Sequence, residues 1–246
     1  MFRDVFVTSL CWVWFILGYF LFFSWRYPLY AMVAKDPEFV FQRLNSSFFR
    51  VLFRIIKCTV PGYRVDVASE VTAIRSAVIV CNHLSYLDPL LLIALFERHR
   101  TIAKARFFTM PVFGWLIRRA GYFPAHGEGK YARIMIQQIE TMKDFLRKGG
   151  NLFVFPEGTR SRDGRVGKLN RGALKIARLC GAPIYVLRLA HTDELFPPGN
   201  FFFRTKLTNP ISLKLLARVE PCCQGEALSL SVLEQRINEV FSRCDL

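Results

Sequence analysis

Between Val5 and Trp25 the chain runs 21 residues without a charged side chain. As a helix, a segment of that length and composition covers the hydrocarbon core of a bilayer, which takes about 20 apolar residues. Whatever the rest of the chain does, this segment needs an apolar environment. A cleaved signal sequence fits poorly, because its apolar region is about 7–15 residues and a small-x-small site follows it. The nearest candidate here is Met32-Val33-Ala34. An uncleaved membrane anchor is the expectation, with a buried or monotopic hairpin element as the alternative. Only Arg3 precedes the run, whereas Arg26, Lys35, Arg43, Arg50, Arg54 and Lys57 follow it. The positive-inside rule then puts the downstream domain on the cytoplasmic face.

The next segment, Asp36 to Cys58, predicts an amphipathic helix. Asp36 suits the N-cap and Pro37 the first helical position. Phe41, Leu44, Phe48, Leu52 and Ile55 keep helical spacing, and Arg43, Arg50, Arg54 and Lys57 fall on another side. A basic amphipathic helix lies well in the headgroup layer of an anionic membrane. Packing on the protein's own core is the competing expectation. Residues 1–60 therefore form an expected membrane-anchoring element, followed by one domain over 61–246.

The formal charge of +15 calls for an anionic partner: a membrane surface, a phosphorylated ligand or a nucleic acid. Zinc-finger spacing, an aromatic RNA-binding signature and a basic heptad helix are all missing from the sequence, which argues against nucleic acid. Seven cysteines make an odd set without C-x-x-C spacing. They fit a reducing compartment better than a disulfide framework.

From about Pro61, short apolar runs alternate with helical patterns, which predicts an α/β domain with a largely parallel or mixed sheet flanked by helices. Ala77–Cys81 and Leu152–Phe155 read as buried strands, with Thr101–Lys104 and Ile184–Leu189 as further candidates. Helices are expected from about Pro89 to Glu97, Lys130 to Arg147 (ended by Gly149 and Gly150), and Gly172 to Cys180. A capping box at Ser231-Val232-Leu233-Glu234 opens a last helix.

Two of these strands end in chemistry. Asn82-His83-Leu84-Ser85-Tyr86-Leu87-Asp88-Pro89 follows the first, and Phe155-Pro156-Glu157-Gly158-Thr159-Arg160-Ser161 closes the second. The carboxyl ends of strands are where open α/β sheets place ligands. Histidine accepts a proton near neutral pH, and a carboxylate can fix its tautomer and hold its charged form. The alternative for Asp88 is to cap the helix that begins at Pro89. Asn82 is expected to shape the turn. Ser85 lacks a G-x-S-x-G elbow and is expected to bond to nearby backbone.

The two blocks, in this order and about seventy residues apart, resemble the glycerolipid acyltransferase family. Asn82, His83 and Asp88 match its Asn-His-x4-Asp pattern, and Phe155 to Ser161 match its second block without a substitution. The resemblance runs from about Pro61 to about Arg188. It implies an α/β fold with an N-terminal two-helix membrane element, and an O-acyltransferase that uses no cofactor or metal. The acyl donor would be acyl-CoA or acyl carrier protein, and the acceptor a lysolipid, with 1-acylglycerol 3-phosphate the leading candidate for phospholipid biosynthesis. His83 would be the general base, oriented by Asp88. Arg160 would grip the acceptor phosphate, with Glu157, Gly158 and Thr159 around it. Lys104, Lys168 and Arg171 are further candidates for phosphate or donor contacts.

Two departures from the family pattern bear on the acceptor. In Gly121-Tyr122-Phe123-Pro124-Ala125-His126-Gly127, a glycine stands where the family's phosphate-binding arginine is expected, and Lys130 is the nearest substitute. The fourth block begins at Pro183 but has Val186 in place of its second proline. The other classes to weigh are an acceptor with a different head group, a lipid hydrolase in which His83 activates water, and a non-catalytic binder of anionic membranes.

Overall fold

The N-terminal apolar run folds back on the segment that follows it. In the computed structural model, which describes residues 2–125, 132–156, 171–223 and 226–243, helix α1 (Phe2–Val13) continues through a π-helical stretch, Trp14–Phe23, toward α2 (Arg26–Val33). The chain then reverses into α3 (Pro37–Thr59). The cap is as expected: Phe39 N donates to Asp36 Oδ1 at 3.1 Å, and Pro37 occupies the first turn. Trp14 fastens the two arms, its indole N–H donating to the Phe48 carbonyl at 3.3 Å while the rings stack at 5.3 Å. Gly18 makes room for that indole, since a Cβ there would come within 2.5 Å of it. Further along, Tyr27 Oη donates to Asn45 Oδ1 at 2.6 Å.

Seven strands form the main sheet: β1 (Val65–Val67), β2 (Ala77–Cys81), β3 (His99–Lys104), β4 (Phe123–Ala125), β5 (Asn151–Val154), β6 (Ile184–Ala190) and β7 (Ile211–Val219). Their order is β1-β7-β6-β2-β5-β3-β4, parallel throughout except between β6 and β7. The mixed sheet flanked by helices matches the expected fold class. Strand β2 lies at its centre, buried along its whole length, which is why its sequence is an apolar run without alternation. The shorter connections are helical: α4 (Ser69–Thr72), α5 (Leu87–Leu95), α6 (Ala105–Phe108), α7 (Phe113–Arg119) and, beyond β6, α10 (Thr192–Leu195). Helices α8 (Ala132–Arg147), α9 (Arg171–Cys180) and α11 (Leu230–Ser242) cover one face with Met142, Leu174 and Leu233 over Val78, Val80 and Leu152. A two-residue ribbon, β8 (Cys222–Cys223) with β9 (Glu226–Ala227), precedes α11.

The other face belongs to α5 and the N-terminal hairpin, which share one apolar cluster with Ile79 and Phe153. This corrects the expectation that α3 lays its apolar side on lipid. Phe41, Phe48, Leu52 and Ile56 are buried in the protein, as are Gln42 and Ser46. The donors of this polar pair are satisfied, Gln42 Nε2 by the Ala120 carbonyl at 2.9 Å and Ser46 Oγ by that of Ala94 at 3.2 Å. Arg43, Arg54 and Lys57 remain exposed, whereas Arg50 reaches the Ala94 carbonyl and Glu97. The first arm is also tied down. Asp4 Oδ1 accepts from Thr205 N and Oγ1 at 2.8 and 2.7 Å, and Phe203 N donates to Thr8 Oγ1 at 2.9 Å. Its outer side exposes Phe6, Ile16, Leu17, Phe20 and Leu21. Among the described residues, Phe2–Phe23 is the one helix long and apolar enough to cross a membrane.

A half-buried ion pair locks hairpin to sheet. Arg100 donates to Glu38 through Nε at 2.7 Å and Nη2 at 2.8 Å, with its guanidinium 4.4 Å over the Phe145 ring. Gly121, at φ +75°, has to be a glycine here, since a Cβ would lie 2.5 Å from Glu38 Oε1 and 2.8 Å from Arg100 Nε. Beside it, His99 Nδ1 lies 2.6 Å from the Phe96 carbonyl and Nε2 2.6 Å from Tyr122 Oη. Burial drives the His99 pKa down to about 4, so this imidazole is neutral at physiological pH.

The last helix begins two residues earlier than expected. Ser229, not Ser231, is its cap, accepting from Val232 N at 3.2 Å. Glu234 therefore does not close a capping box and pairs instead with Arg171 at 2.7 Å.

Candidate active site

His83 stands just past the end of β2, and Asp88 in the first turn of α5. His83 Nδ1 lies 2.9 Å from Asp88 Oδ2. The same oxygen accepts the backbone N–H groups of Leu84 at 2.6 Å and Ser85 at 2.8 Å. Asp88 thus does not cap α5. Its carboxylate turns back to clasp the loop that carries the histidine, and the helix starts at Leu87 rather than Pro89. Asp88 is fully buried, and among the described residues its Oδ1 has no hydrogen-bond partner. Such a carboxylate has surplus negative potential with little solvent to disperse it. It favours any positive charge that forms on the neighbouring imidazole.

Two amides already donate to Oδ2, so Nδ1 bears the imidazole hydrogen and Nε2 is left with the lone pair. The ring is held on its face as well. Phe155, directly after β5, stacks on His83 with centroids 4.3 Å apart and planes 27° from parallel. Because β2 and β5 are parallel neighbours, both rings emerge at the same end of the sheet. The sequence marks Phe155 as the end of an apolar strand and the start of a matched block. Its contact depends on strand order, which the sequence does not reveal.

Asn82 completes the support. Its Nδ2 donates to the Leu189 carbonyl at 2.9 Å and its Oδ1 accepts from Leu189 N at 2.7 Å. The side chain replaces a rung of the β2–β6 ladder just where β2 stops, consistent with a turn-shaping role. Ser85 Oγ accepts from Leu87 N at 3.2 Å and donates to the Phe196 carbonyl at 2.7 Å. The first is the local backbone bond expected of it, and the second also pins the loop to the segment after α10.

The other candidates are dispersed. Lys104 is exposed at the end of β3. Strand β3 is separated from β2 only by β5 and runs parallel to it, so Lys104 leaves the sheet at the same end as His83. Arg171 opens α9 and is engaged by Glu234. Lys130, Glu157, Gly158, Thr159, Arg160 and Lys168 lie outside the described residues, as does Gly127. Among the described residues, no three His, Cys, Asp or Glu side chains are grouped to hold a metal ion.

The segment after β6 brings another acid–histidine pair to this end of the sheet, one with no signature in sequence spacing. His191 Nδ1 is 3.0 Å from Glu194 Oε1. Burial opposes ionisation of Glu194, but hydrogen bonds from Asn209 and Thr208 outweigh it and take the pKa down to about 2.

Comparison with known proteins gives a consistent picture. A family model described as Acyltransferase matches residues 63–189. A chloroplastic 1-acyl-sn-glycerol-3-phosphate acyltransferase of Brassica napus is 33% identical over 175 residues, 69% of this chain and 50% of that protein. A 1-acyl-sn-glycerol-3-phosphate acyltransferase of Pseudomonas aeruginosa is 31% identical over 141 residues, 56% of this chain and 53% of that protein. The chain spans about half the length of these relatives. In fold it is similar to the crystal structure of the 1-acyl-sn-glycerophosphate (LPA) acyltransferase PlsC from Thermotoga maritima, with a TM-score of 0.75 at 24% identity over 99% of this chain and 95% of that one.

Proposed function

Because this chain belongs to the acyltransferase family, we propose that it transfers a fatty acyl group from a thioester donor to the free hydroxyl of 1-acylglycerol 3-phosphate, giving phosphatidic acid. The carrying observation is the His83–Asp88 pair, 2.9 Å apart at the carboxyl edge of the sheet. In this reading His83 Nε2 takes the hydroxyl proton as the oxygen attacks the thioester carbonyl. The C–S bond breaks as the tetrahedral intermediate collapses, and the proton passes to the departing thiolate. The buried carboxylate of Asp88 stabilises the imidazolium between those two steps. No acyl-enzyme forms, and a base in this position typically contributes about 10²–10⁴ in rate.

Arg160 would hold the acceptor phosphate through its planar fork, with Glu157, Gly158 and Thr159 shaping that site. Lys130 would replace the arginine absent at Gly127, and Lys104, Lys168 and Arg171 supply further positive charge toward acceptor or donor. Acyl-CoA and acyl carrier protein are both thioesters that this chemistry accepts. The exposed apolar side of Phe2–Phe23 supports attachment to a membrane, and the lysines and arginines after it favour a cytoplasmic catalytic face.

The test is product identification. Detergent-purified chain is incubated with labelled acyl-CoA or acyl carrier protein and a panel of lysolipids, and products are read by mass spectrometry. Phosphatidic acid formed from 1-acylglycerol 3-phosphate supports the reading. Transfer only to acceptors without a terminal phosphate moves the acceptor elsewhere, and free fatty acid without acylated product points to a hydrolase.

A further inference from the structure

We propose that the elbow between β3 and α7 is a second membrane contact, inserting Met110, Val112 and Phe113 among the headgroups of an anionic lipid surface. The backbone there is strained. Val112 has φ +60° and ψ −61°, and Phe113 N donates to the Pro111 carbonyl two residues back, a γ-turn of the costly hand. A β-branched residue with positive φ is a genuine outlier, and such strain persists where the surroundings impose it. Here Gly114 sits so close to the Phe108 carbonyl that a Cβ would approach it to 2.4 Å, and the Arg118 guanidinium grips the same carbonyl.

The elbow carries apolar side chains on its outside. Met110, Val112 and Phe113 are 48%, 55% and 41% exposed, next to one another. In the same stretch Lys104, Arg106, Arg118 and Arg119 are all exposed, and the sequence from 104 to 119 has no acidic residue. An apolar tip inside a basic collar matches the layering of an anionic interface, acyl chains beneath phosphates. Beneath it α7 packs on the hairpin: Trp115 lies on Phe41 at 5.3 Å and Phe41 on Tyr27 at 4.9 Å. Strand β3 runs parallel to β5 and β5 to β2, so the elbow leaves the sheet at the same end as His83. Lipid held at the elbow would therefore face the site.

The inference rests on the membrane attachment proposed above, and the experiment separates the two. Full-length chain carrying a photoreactive benzoylphenylalanine at 113 is reconstituted in phosphatidylcholine vesicles with or without phosphatidylglycerol and irradiated. Lipid adducts are mapped by mass spectrometry. Parallel samples carry the probe at 21, on the hairpin, and at 236, on α11 across the sheet. Adducts are expected at 113 and 21 but not at 236. The 113 adduct should fall several-fold without phosphatidylglycerol, and likewise in an Arg106→Glu, Arg119→Glu variant. Labelling at 21 without labelling at 113 overturns the elbow contact and leaves the hairpin attachment standing. No labelling at either position overturns both, and a 113 adduct indifferent to phosphatidylglycerol overturns the role of the basic collar.

Discussion

One carboxylate oxygen, Asp88 Oδ2, both faces His83 Nδ1 at 2.9 Å and holds the two amides that shape the loop carrying that histidine. Charge and geometry are thus supplied by the same atom, and substitutions can divide them. Asp88→Asn keeps an acceptor for the amides and Nδ1 but removes the charge. It should lower kcat by about 10²–10⁴-fold with little loss of stability, as expected when an imidazolium loses its counter-charge. Asp88→Ala should also leave buried donors unpaired and destabilise the fold by roughly 2–4 kcal/mol. Thermal unfolding alongside acyl transfer separates the two effects. An asparagine variant that keeps nearly full activity, while alanine loses both activity and stability, would reduce Asp88 to a loop clasp.

Gly121 is the tightest point of the contact between hairpin and sheet. Gly121→Ala places a methyl group on the Glu38–Arg100 pair and imposes strain at φ +75°. A loss of about 2–4 kcal/mol is expected, since displacing one partner leaves a largely buried charge unpaired. In a background of Glu38→Gln the same substitution should cost less. Additive losses in the double variant would mean the glycine serves something other than that pair.

His99 gives the fold a pH dependence. Its folded pKa, lowered by burial to about 4 from 6.5, means the unfolded chain binds the proton more readily. Stability is therefore complete above about pH 6.5 and declines as pH falls toward 4, by about 3 kcal/mol in all. Denaturation midpoints measured across this window should slope accordingly, and the slope should flatten in His99→Gln. An unchanged slope in that variant would assign the acid sensitivity to carboxylates.

Arg160 tests acceptor recognition. Arg160→Ala should reduce kcat/KM on 1-acylglycerol 3-phosphate by roughly 30- to 4,000-fold, the equivalent of about 2–5 kcal/mol, and far less on an acceptor lacking phosphate. Arg160→Lys should restore only part, because an ammonium cannot reproduce the fork. Lys130→Ala should show the same selectivity with a smaller loss. Equal losses on both acceptors would take Arg160 away from the phosphate.

What the sequence discloses follows the range of the interactions involved. Strand β2 is legible because burial on both faces makes it a plain apolar run, and the Asp36 cap because its partners lie within four residues. The His83–Asp88 pair is local too, five residues apart, and reads directly. The apolar face of α3 is visible, but not its destination: lipid and protein select the same periodicity, and only the Gln42 and Ser46 partners on distant segments decide. The Phe155 stack arises from strand order, and the Gly121 constraint from a pair whose Glu38 lies on a distant segment. The start of α11 fails for another reason: Ser229 and Ser231 are equally good caps by type, and the pairing of Glu234 with Arg171 removes the capping box.

Base catalysis by His83 is tested most directly by one comparison. Acyl transfer to 1-acylglycerol 3-phosphate is measured by product mass spectrometry for the chain and its His83→Ala variant, with matched thermal unfolding to establish that both are folded. A folded variant with transfer reduced by at least about 10³-fold is the expected result. A folded variant that keeps more than about a tenth of the activity would remove His83 from the reaction and contradict the mechanism.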